Sequence, residues 1–398
     1  MLLITAGYWS FTLTDGALRM LVLLHFHDLG YSPVSLAFLF LLYEVMGIAT
    51  NLVGGWVGGR FGLHKTLIAG LTLQVAALLV LAAQQPNWAE WLSVAYVMGA
   101  QGLSGVAKDL TKLSSKASVK RVASEGALFA WVAALTGSKN ALKGVGFFVG
   151  SVLLTAFGFR ASLVMMAGVL GVVAALVGVL IGRGGSERFV PVAAAKSAGS
   201  LRSSLSKSEA INDLSVARFF LFGARDIWFV VALPVFLADE LGWSFQAIGG
   251  FLAVWVIGYG LIQTGVPILV RRTADRAASA RRWALLLAGI TGVLATLVSL
   301  VGDGAARPIV VVAGLVVFGA AFAVNSSLHS FLILAYSTAE DAAADVGFYY
   351  SANAAGRLFG TLMSGLLFLW GGLEVALWGA ALSITLAWVL SLRFPSTT

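Results

Sequence analysis

Apolar runs long enough to cross a lipid bilayer recur along the whole chain, separated by short breaks of glycine, proline and charge. Residues 163–181 and 283–301, for example, contain no charged side chain, and each can span a hydrocarbon core about 30 Å thick. We predict twelve membrane-spanning helices in two sets of six. They lie at 3–26, 34–57, 65–84, 89–115, 127–157 and 161–182, and at 212–238, 245–270, 283–301, 308–336, 346–370 and 374–392.

The two sets of six predicted helices share short sequence repeats. Leu-Gly-Tyr-Ser at 29–32 returns as Leu-Gly-Trp-Ser at 241–244, and Ser-Lys-Asn-Ala at 138–141 returns as Ser-Ala-Asn-Ala at 351–354, at the same offset within one residue. A six-plus-six parallel repeat is typical of the major facilitator fold. We therefore predict an all-α integral membrane protein with two pseudo-symmetric halves and a substrate site near the bilayer midplane between them. The halves are 1–182 and 212–398, joined by a cytoplasmic linker at 183–211 that is rich in Ser, Ala and charge.

Composition and charge agree with a multi-pass protein of the cytoplasmic (inner) membrane. The 398 residues are 59% hydrophobic and only 11% charged, and the formal net charge is +8. The Lys and Arg residues concentrate in alternate loops and in the linker, which places both termini in the cytoplasm. No basic stripe interleaved with aromatics is present, so nucleic acid is excluded as a partner. The absence of cysteine excludes disulfides and thiolate metal sites.

The presence of each ionisable residue within a predicted span requires an explanation, because inserting a charged side chain at the centre of a membrane helix costs about 2.5–3.5 kcal/mol. Their signs are unequal. Eight are basic: Arg19, Lys108, Lys112, Lys139, Lys143, Arg218, Arg225 and Arg357. Four are acidic: Asp15, Glu44, Asp109 and Asp226. A basic excess at membrane depth is costly unless an anion occupies it for part of the cycle, so we predict a multiply charged organic anion as substrate.

Two groups of these residues leave alternatives open. Tyr8, Thr12, Asp15 and Arg19 share one face of helix one, which suits a cavity wall, but Asp15 and Arg19 can also form an ion pair that only allows both to insert. Lys108 and Lys112 either face the cavity or lie at the cytoplasmic end and extend into water. Predicted helix ten carries Asn325 and His329, and the histidine is interpreted as a hydrogen-bonded packing residue. Glycines with small-xxx-small spacing are interpreted as helix-packing positions. These glycines are Gly54, Gly55, Gly58, Gly59, Gly146, Gly150, Gly356 and Gly360.

Pseudo-symmetry predicts how the basic groups meet. Lys139 and Lys143 of helix five and Arg357 of helix eleven would line opposite walls of one cavity, with Arg19 and Arg225 completing the ring. Helix eleven carries Tyr350, Asn353, Arg357, Thr361 and Ser364 along one side. The predicted substrate-binding residues are Arg19, Lys108, Lys112, Lys139, Asn140, Lys143, Arg218, Arg225, Tyr350, Asn353 and Arg357.

Three embedded acids are candidates for proton coupling: Asp15, Glu44 and Asp226. Asp15 and Asp226 adjoin arginines, which hold a carboxyl group ionised. Glu44 has no basic neighbour on its own helix and is the first choice for the group that protonates.

The segment 55–65 reads GWVGGRFGLHK and resembles the loop motif of the major facilitator superfamily. Arg60, Gly62 and Lys65 match the motif. Together with Gly55 they are the predicted gating-loop residues. Gly59 stands where the family usually has Asp, which leaves the family's gating ion pair without its acid in this loop.

Four longer runs resemble the ArsJ-type organoarsenical efflux permeases of that superfamily. They are YWSFTLTDGALRM at 8–20, GVAKDL at 105–110, TGSKNALKGVGFF at 136–148 and FGARDIWFVVALP at 222–234. The resemblance implies export of 1-arseno-3-phosphoglycerate, an ester formed from arsenate by a partner glyceraldehyde-3-phosphate dehydrogenase, and hence arsenate resistance. This oxygen-bound pentavalent arsenic needs no thiol ligand, which agrees with the absence of cysteine.

Other functions remain open from the residues alone. A major facilitator carrier for another organic anion would share the basic excess, whereas a general drug exporter is expected to have a mostly apolar cavity with one or two acids. An enzyme would need a nucleophile and base or a metal cluster, and neither constellation is evident among the four histidines. We expect no catalytic residue, no cofactor and no metal, with membrane lipid as the surrounding partner and a monomer as the working unit.

Overall fold

The computed structural model describes residues 2–61, 63–122, 125–183, 208–270, 275–302, 304–338 and 342–397. Within these residues all regular structure is helical and there is no strand. Most of the predicted linker lies outside the described residues. The all-α membrane fold predicted from the apolar runs is confirmed.

Twelve helices are described, and we number them in chain order. The first six are α1 (Leu2–Asp28), α2 (Pro33–Leu39), α3 (Leu41–Phe61), α4 (Leu63–Ala82), α5 (Glu90–Val122) and α6 (Glu125–Arg183). The last six are α7 (Glu209–Phe229), α8 (Ala232–Asp239), α9 (Phe245–Val270), α10 (Arg276–Val301), α11 (Arg307–Tyr336) and α12 (Ala342–Ser391).

Two of these helices are broken at glycines. Gly158 in α6 has φ of 74° and Gly372 in α12 has φ of 65°, a region that glycine enters without the steric cost of a Cβ. The breaks fall between the spans predicted at 127–157 and 161–182, and between those at 346–370 and 374–392. By length and composition, eight stretches of the described chain can cross a membrane, and two of them contain these breaks. These eight stretches, with the two broken ones divided at their glycines, occur together with α1 and α5 in the same order along the chain as the predicted spans.

Two other predicted spans are interrupted within the membrane. The span at 34–57 divides at Phe40 into α2 and α3, and the span at 212–238 divides at Val230 and Val231 into α7 and α8. In the second break the backbone N–H groups of Val231 and Ala232 both donate to the hydroxyl of Ser364, at 3.1 and 3.0 Å. A neighbouring hydroxyl thus satisfies the backbone groups that the break frees, as membrane burial requires.

The chain divides into two compact units. One comprises Met1–Leu29, Leu39–Leu201 and Phe245–Ile257, and the other comprises Gly30–Phe38, Arg202–Ser244 and Gly258–Thr398. In the first unit α1 packs along α6, and in the second α7 packs along α12.

Glycines allow the close approach of helices within each unit. A methyl group on Gly146 or Gly150 would overlap the carbonyl oxygen of Leu13 or Ala17, respectively, on α1. One on Gly356 or Gly360 would overlap a carbonyl oxygen of α7. The packing role predicted for these four glycines is confirmed. Gly54, Gly55, Gly58 and Gly59 belong to α3, where the structure gives no side-chain description.

Candidate functional site

Helices α1 and α3 meet through two buried polar contacts in the first unit. The Nη2 atom of Arg19 lies 3.0 Å from Oε1 of Glu44, and the hydroxyl of Tyr43 donates to Oδ1 of Asp15 at 2.6 Å. Asp15 and Arg19 therefore do not pair with each other on α1, as one interpretation of the sequence allowed. Each contacts α3 instead, and Glu44 acquires from another helix the basic neighbour that it lacks on its own.

Two lysines of α5 also lie against α3. Lys108 places its Nζ atom 4.0 Å from the centre of the Tyr43 ring, a cation–π geometry. Lys112 donates to Asn51 at 3.2 Å and lies 3.6 Å from Asp109, and Asp109 also accepts from Thr50. Both lysines are partly buried, so they contact other side chains of the unit rather than extending freely into water.

We call these residues the paired cluster, because each acid in it is matched by a donor or a cation. Its members are Asp15, Arg19, Tyr43, Glu44, Lys108, Asp109 and Lys112. Its charges balance, with three acids and three bases. The same unit contains Lys139, Asn140 and Lys143 on α6, all partly buried, and the backbone of Lys143 packs against Gly16 of α1.

In the second unit, one buried carboxylate holds two arginines. Asp226 of α7 is fully buried, and its Oδ1 accepts from Nε of Arg225 at 2.7 Å. Its Oδ2 accepts from Nε of Arg357, on α12, at 3.2 Å. Both arginine side chains keep about a sixth of their surface exposed, at 17% and 16%. Each oxygen of Asp226 is thus committed to a different guanidinium group.

Arg218, two turns before Arg225 on α7, has only neutral partners among the described residues. Its Nε donates to Oδ1 of Asn353 at 2.8 Å, and its Nη1 donates to the carbonyl and hydroxyl oxygens of Ser326 at 3.0 and 3.2 Å. The guanidinium carbon lies 3.9 Å from the centre of the Phe222 ring. The residue is 4% exposed. Within the described parts of the chain, this permanently charged group is therefore buried without a carboxylate partner. We call Arg218, Arg225, Asp226 and Arg357 the arginine cluster; its net charge is +2.

Comparison with known proteins identifies the family. The family model of the Major Facilitator Superfamily matches residues 4–254, well over half of the chain. The chain belongs to the Major Facilitator Superfamily. It is therefore a multi-pass membrane transporter, not an enzyme, and it works by alternating access.

Two solved structures have the same fold. One is a bacterial homologue of the iron transporter ferroportin in the outward-facing state, with a TM-score of 0.70, 16% identity and coverage of 98% of each chain. The other is a bacterial homologue of ferroportin in the inward-facing state, with a TM-score of 0.68, 16% identity and coverage of 99% of each chain. A search of the functionally curated proteins finds no match.

The superfamily loop motif is described only in part. Gly55 and Arg60 belong to the last turns of α3, whose side chains the structure does not describe there, and Gly62 lies outside the described residues. Lys65 is exposed in the first turn of α4. The gating role predicted for these four residues stays a prediction.

The remaining polar residues of α11 and α12 take different positions. Tyr350 is partly buried beside Tyr349, with ring centres 5.4 Å apart. Ser364 caps α8, as described above. Asn325 is buried and donates to the carbonyl of Ala280 at 3.2 Å, and His329 is buried with its ring edge-on to Phe394. Asn325 and His329 thus occupy packing positions.

Sequence reasoning missed three residues that complete the two clusters: Tyr43, Ser326 and Phe222. Tyr43 and Ser326 contact charged residues of other helices, and spacing along one helix does not reveal such contacts. Their signal in the sequence was a polar hydroxyl group within a mostly apolar run. Phe222 follows Arg218 by four residues on α7, a spacing that places two side chains on one helix face, so this contact could have been found from the sequence.

Proposed function

We propose that this transporter exports a small, multiply anionic phosphate or arsenate ester, specifically 1-arseno-3-phosphoglycerate, and thereby confers arsenate resistance. The observation that carries the proposal is the arginine cluster, in which one carboxylate contacts two guanidinium groups and a third, on Arg218, is held by neutral acceptors.

The electrostatics of this cluster favour an anionic substrate. A buried charge without an opposite charge is costly in a low-dielectric interior. The neutral acceptors around Arg218 offset part of that cost through hydrogen bonds. A bound anion would offset more, and the planar fork of a guanidinium group matches the oxygens of a phosphate, arsenate or carboxylate.

The resemblance to the ArsJ-type permeases narrows the substrate. The runs that carry it contain Arg19, Lys108, Lys139, Lys143 and Arg225. Three of these residues belong to the two clusters, so the distinctive motifs coincide with the unusual buried charges. A three-carbon ester with a phosphate at one end and an arsenate at the other supplies several anionic oxygens, which suits an excess of basic groups.

A metal-ion cargo, suggested by the ferroportin homologues, fits this chain poorly. In the described parts of the chain, no three His, Cys, Asp or Glu side chains lie together as ligands for a metal ion. The excess charge of the arginine cluster is positive and would repel a cation. Another organic anion is the alternative that the same cluster supports.

The test is transport into everted membrane vesicles. Because 1-arseno-3-phosphoglycerate is unstable, it is generated in the assay from glyceraldehyde-3-phosphate, NAD and arsenate by glyceraldehyde-3-phosphate dehydrogenase, and arsenic trapped in the vesicles is measured. We expect accumulation only in the complete mixture. Uptake of arsenate without the dehydrogenase, or equal uptake in vesicles lacking the protein, would refute the proposal. Competition by 3-phosphoglycerate at equal potency would favour the broader anion carrier.

Arg357→Lys tests whether the bidentate fork matters. It keeps the charge but loses the planar pair of donors, so we expect the initial rate to fall by about tenfold, the value of about one charge-assisted hydrogen bond. Arg393→Lys is the matched control, because Arg393 is 72% exposed and only 3.8 Å from Asp213 at the surface. Similar rates for the two variants at equal protein abundance would show that Arg357 does not bind substrate.

A further inference from the structure

We propose that Asp226 is a built-in competitor of the substrate: its carboxylate holds Arg225 and Arg357 in the empty transporter and loses them to the substrate anion on binding. The inference rests on the proposed function, since it assigns the role of one residue within an anion-binding site. It gives Asp226 a part in setting affinity and release, apart from any role in proton coupling.

The first support is that each oxygen of the Asp226 carboxylate accepts a hydrogen bond from a different arginine. Oδ1 of Asp226 accepts from Arg225 and Oδ2 accepts from Arg357, so both of its oxygens are occupied by groups that an anionic substrate would also seek. A phosphate or arsenate presents the same kind of oxygen to the same donors. Carboxylate and substrate therefore compete for one set of N–H groups.

The second support is a difference in freedom between the acid and the arginines. The backbone of α7 beside Asp226 is fixed against α12, where a methyl group on Gly360 would lie 2.8 Å from Cβ of Asp226. Asp226 has a short side chain and is completely buried, whereas both arginine side chains are long and partly exposed. The arginines are the groups able to turn away from Asp226, and the acid stays in place to recover them.

Arg218 provides the contrast within the same cluster. Its donors are held by an amide, a carbonyl and a hydroxyl group, and no carboxylate has to be displaced before it meets an anion. In this cluster Arg218 can therefore bind an anion directly, whereas Arg225 and Arg357 bind it only after they have left the carboxylate of Asp226.

Competition between Asp226 and the substrate for the same arginines would help the transporter to release its substrate in each cycle. A ligand shifts a conformational equilibrium only by its differential affinity for the two states, and a carrier must also release what it binds. Three unopposed arginines would bind a multivalent anion tightly and release it slowly. Asp226 lowers the net affinity by the free energy of the ion pairs that are broken, and their re-formation assists release.

The experiment compares the full-length protein with Asp226→Asn, which keeps the shape of the side chain and removes its charge. Binding of 3-phosphoglycerate, a chemically stable three-carbon phosphate, is measured by calorimetry on purified protein. We expect Kd to fall by about tenfold, within the usual range of coupling between sites, while the transport rate at saturating substrate falls. Asp213→Asn is the matched control, because Asp213 is a partly exposed acid beside the exposed Arg393, and the Kd of this variant should equal that of the unchanged protein.

A second pair of variants covers the possibility that Asp226→Asn does not fold. In an Arg225→Gln background Asp226 keeps its contact with Arg357, and adding Asp226→Asn removes the carboxylate from that one contact rather than from two. We expect the double variant to bind 3-phosphoglycerate more tightly than Arg225→Gln alone. Binding that is unchanged or weakened by loss of Asp226 in both backgrounds would overturn the competitor role and leave the proposed function intact. No binding of any anion by the unchanged protein would overturn both.

Discussion

The paired cluster of the first unit and the arginine cluster of the second both include residues of the first long helix of their half, α1 and α7, but they handle charge differently. In the first, Arg19 meets Glu44 and Lys112 meets Asp109, and the hydroxyl of Tyr43 satisfies Asp15. In the second, a single carboxylate contacts two arginines, and a third arginine has no carboxylate partner among the described residues. Each unit uses buried polar contacts between helices, but of these two clusters the arginine cluster is the one with an excess of guanidinium charge.

The difference separates two uses of buried charge. A matched pair can be inserted because each partner lowers the cost of the other, and such a pair locks helices together without a ligand. An unmatched cation retains its electrostatic cost, which a bound anion reduces. The excess of basic residues in the sequence is therefore not spread evenly over contacts. In the described residues of the arginine cluster, on α7 and α12, three guanidinium groups are present with one carboxylate.

The largest effect that tests this comparison concerns Glu44. Glu44→Gln leaves Arg19 buried without its acid, and breaking a buried pair in this way costs about 3 kcal/mol or more. We expect a marked drop in the thermal unfolding midpoint of the purified protein. The double change Arg19→Met with Glu44→Leu removes both charges and should recover most of the stability.

The same variant also tests the coupling role predicted for Glu44. That choice rested on the absence of a basic neighbour on its own helix, and Arg19 of α1 supplies one at 3.0 Å. If Glu44→Gln is as stable as the unchanged protein but loses its response to a pH gradient, the paired cluster is part of the transport cycle and the comparison drawn here is wrong.

A somewhat smaller effect is expected at Arg218, and it should appear in anion binding rather than in the stability of the protein. Arg218→Gln removes a buried charge that has no acid, so stability should change by less than about 1 kcal/mol. Binding of 3-phosphoglycerate should weaken by about 30-fold, equivalent to about 2 kcal/mol for a hydrogen bond to a charged group. Calorimetry and thermal unfolding on the same preparation separate the two quantities, with Arg393→Gln as the surface control. Unfolding of the variant with unchanged binding in the remaining folded protein would show that Arg218 is structural.

The fold was largely predictable because apolar length alone determines which segments can span a bilayer. The breaks at Phe40 and at Val230 and Val231 were not predicted, since each lies inside an apolar run. The second is supported by Ser364, more than 130 residues away in the sequence. The start of α10 was also placed too late, at 283 rather than Arg276, because its charged first turn lies outside the apolar run on which the prediction relied.

The composition of the two clusters was predictable, but their pairing was not. Every basic and acidic member was selected from the sequence as a charge within a span. Spacing rules relate residues on one helix, so they suggested Asp15 with Arg19, whereas the structure pairs Arg19 with Glu44. Contacts between helices depend on rotation and depth, which hydrophobic patterns do not specify to within one residue.

The smallest effect concerns Asp275, an acid outside the predicted membrane spans. Its carboxylate is held by backbone N–H groups, whereas those of the two clusters are held by side chains. Asp275 caps α10, and its Oδ1 accepts from the N–H groups of Ala277 and Ala278 at 2.9 and 3.2 Å. Slight burial tends to raise the pKa of Asp275, but hydrogen bonds from the backbone of Ala278, Thr397 and Ala277 outweigh it, and the pKa is lowered.

A lowered pKa in the folded state means that the carboxylate stabilises the fold at neutral pH and that this stabilisation is lost as the pH falls through the folded value. We expect Asp275→Ala to cost about 1 kcal/mol at pH 7, the usual value of a helix cap. The cost should become smaller as the pH falls below about 4, the ordinary Asp pKa that the unfolded chain keeps, and then through the lower pKa of the folded state. Asp275→Asn keeps a cap acceptor and should lose only part of this amount. Thermal unfolding across that pH range checks the trend, with Asp213→Ala as a surface control. A deficit that is the same at pH 7 and well below the ordinary Asp pKa of about 4 would mean that the charge of Asp275 contributes nothing to stability.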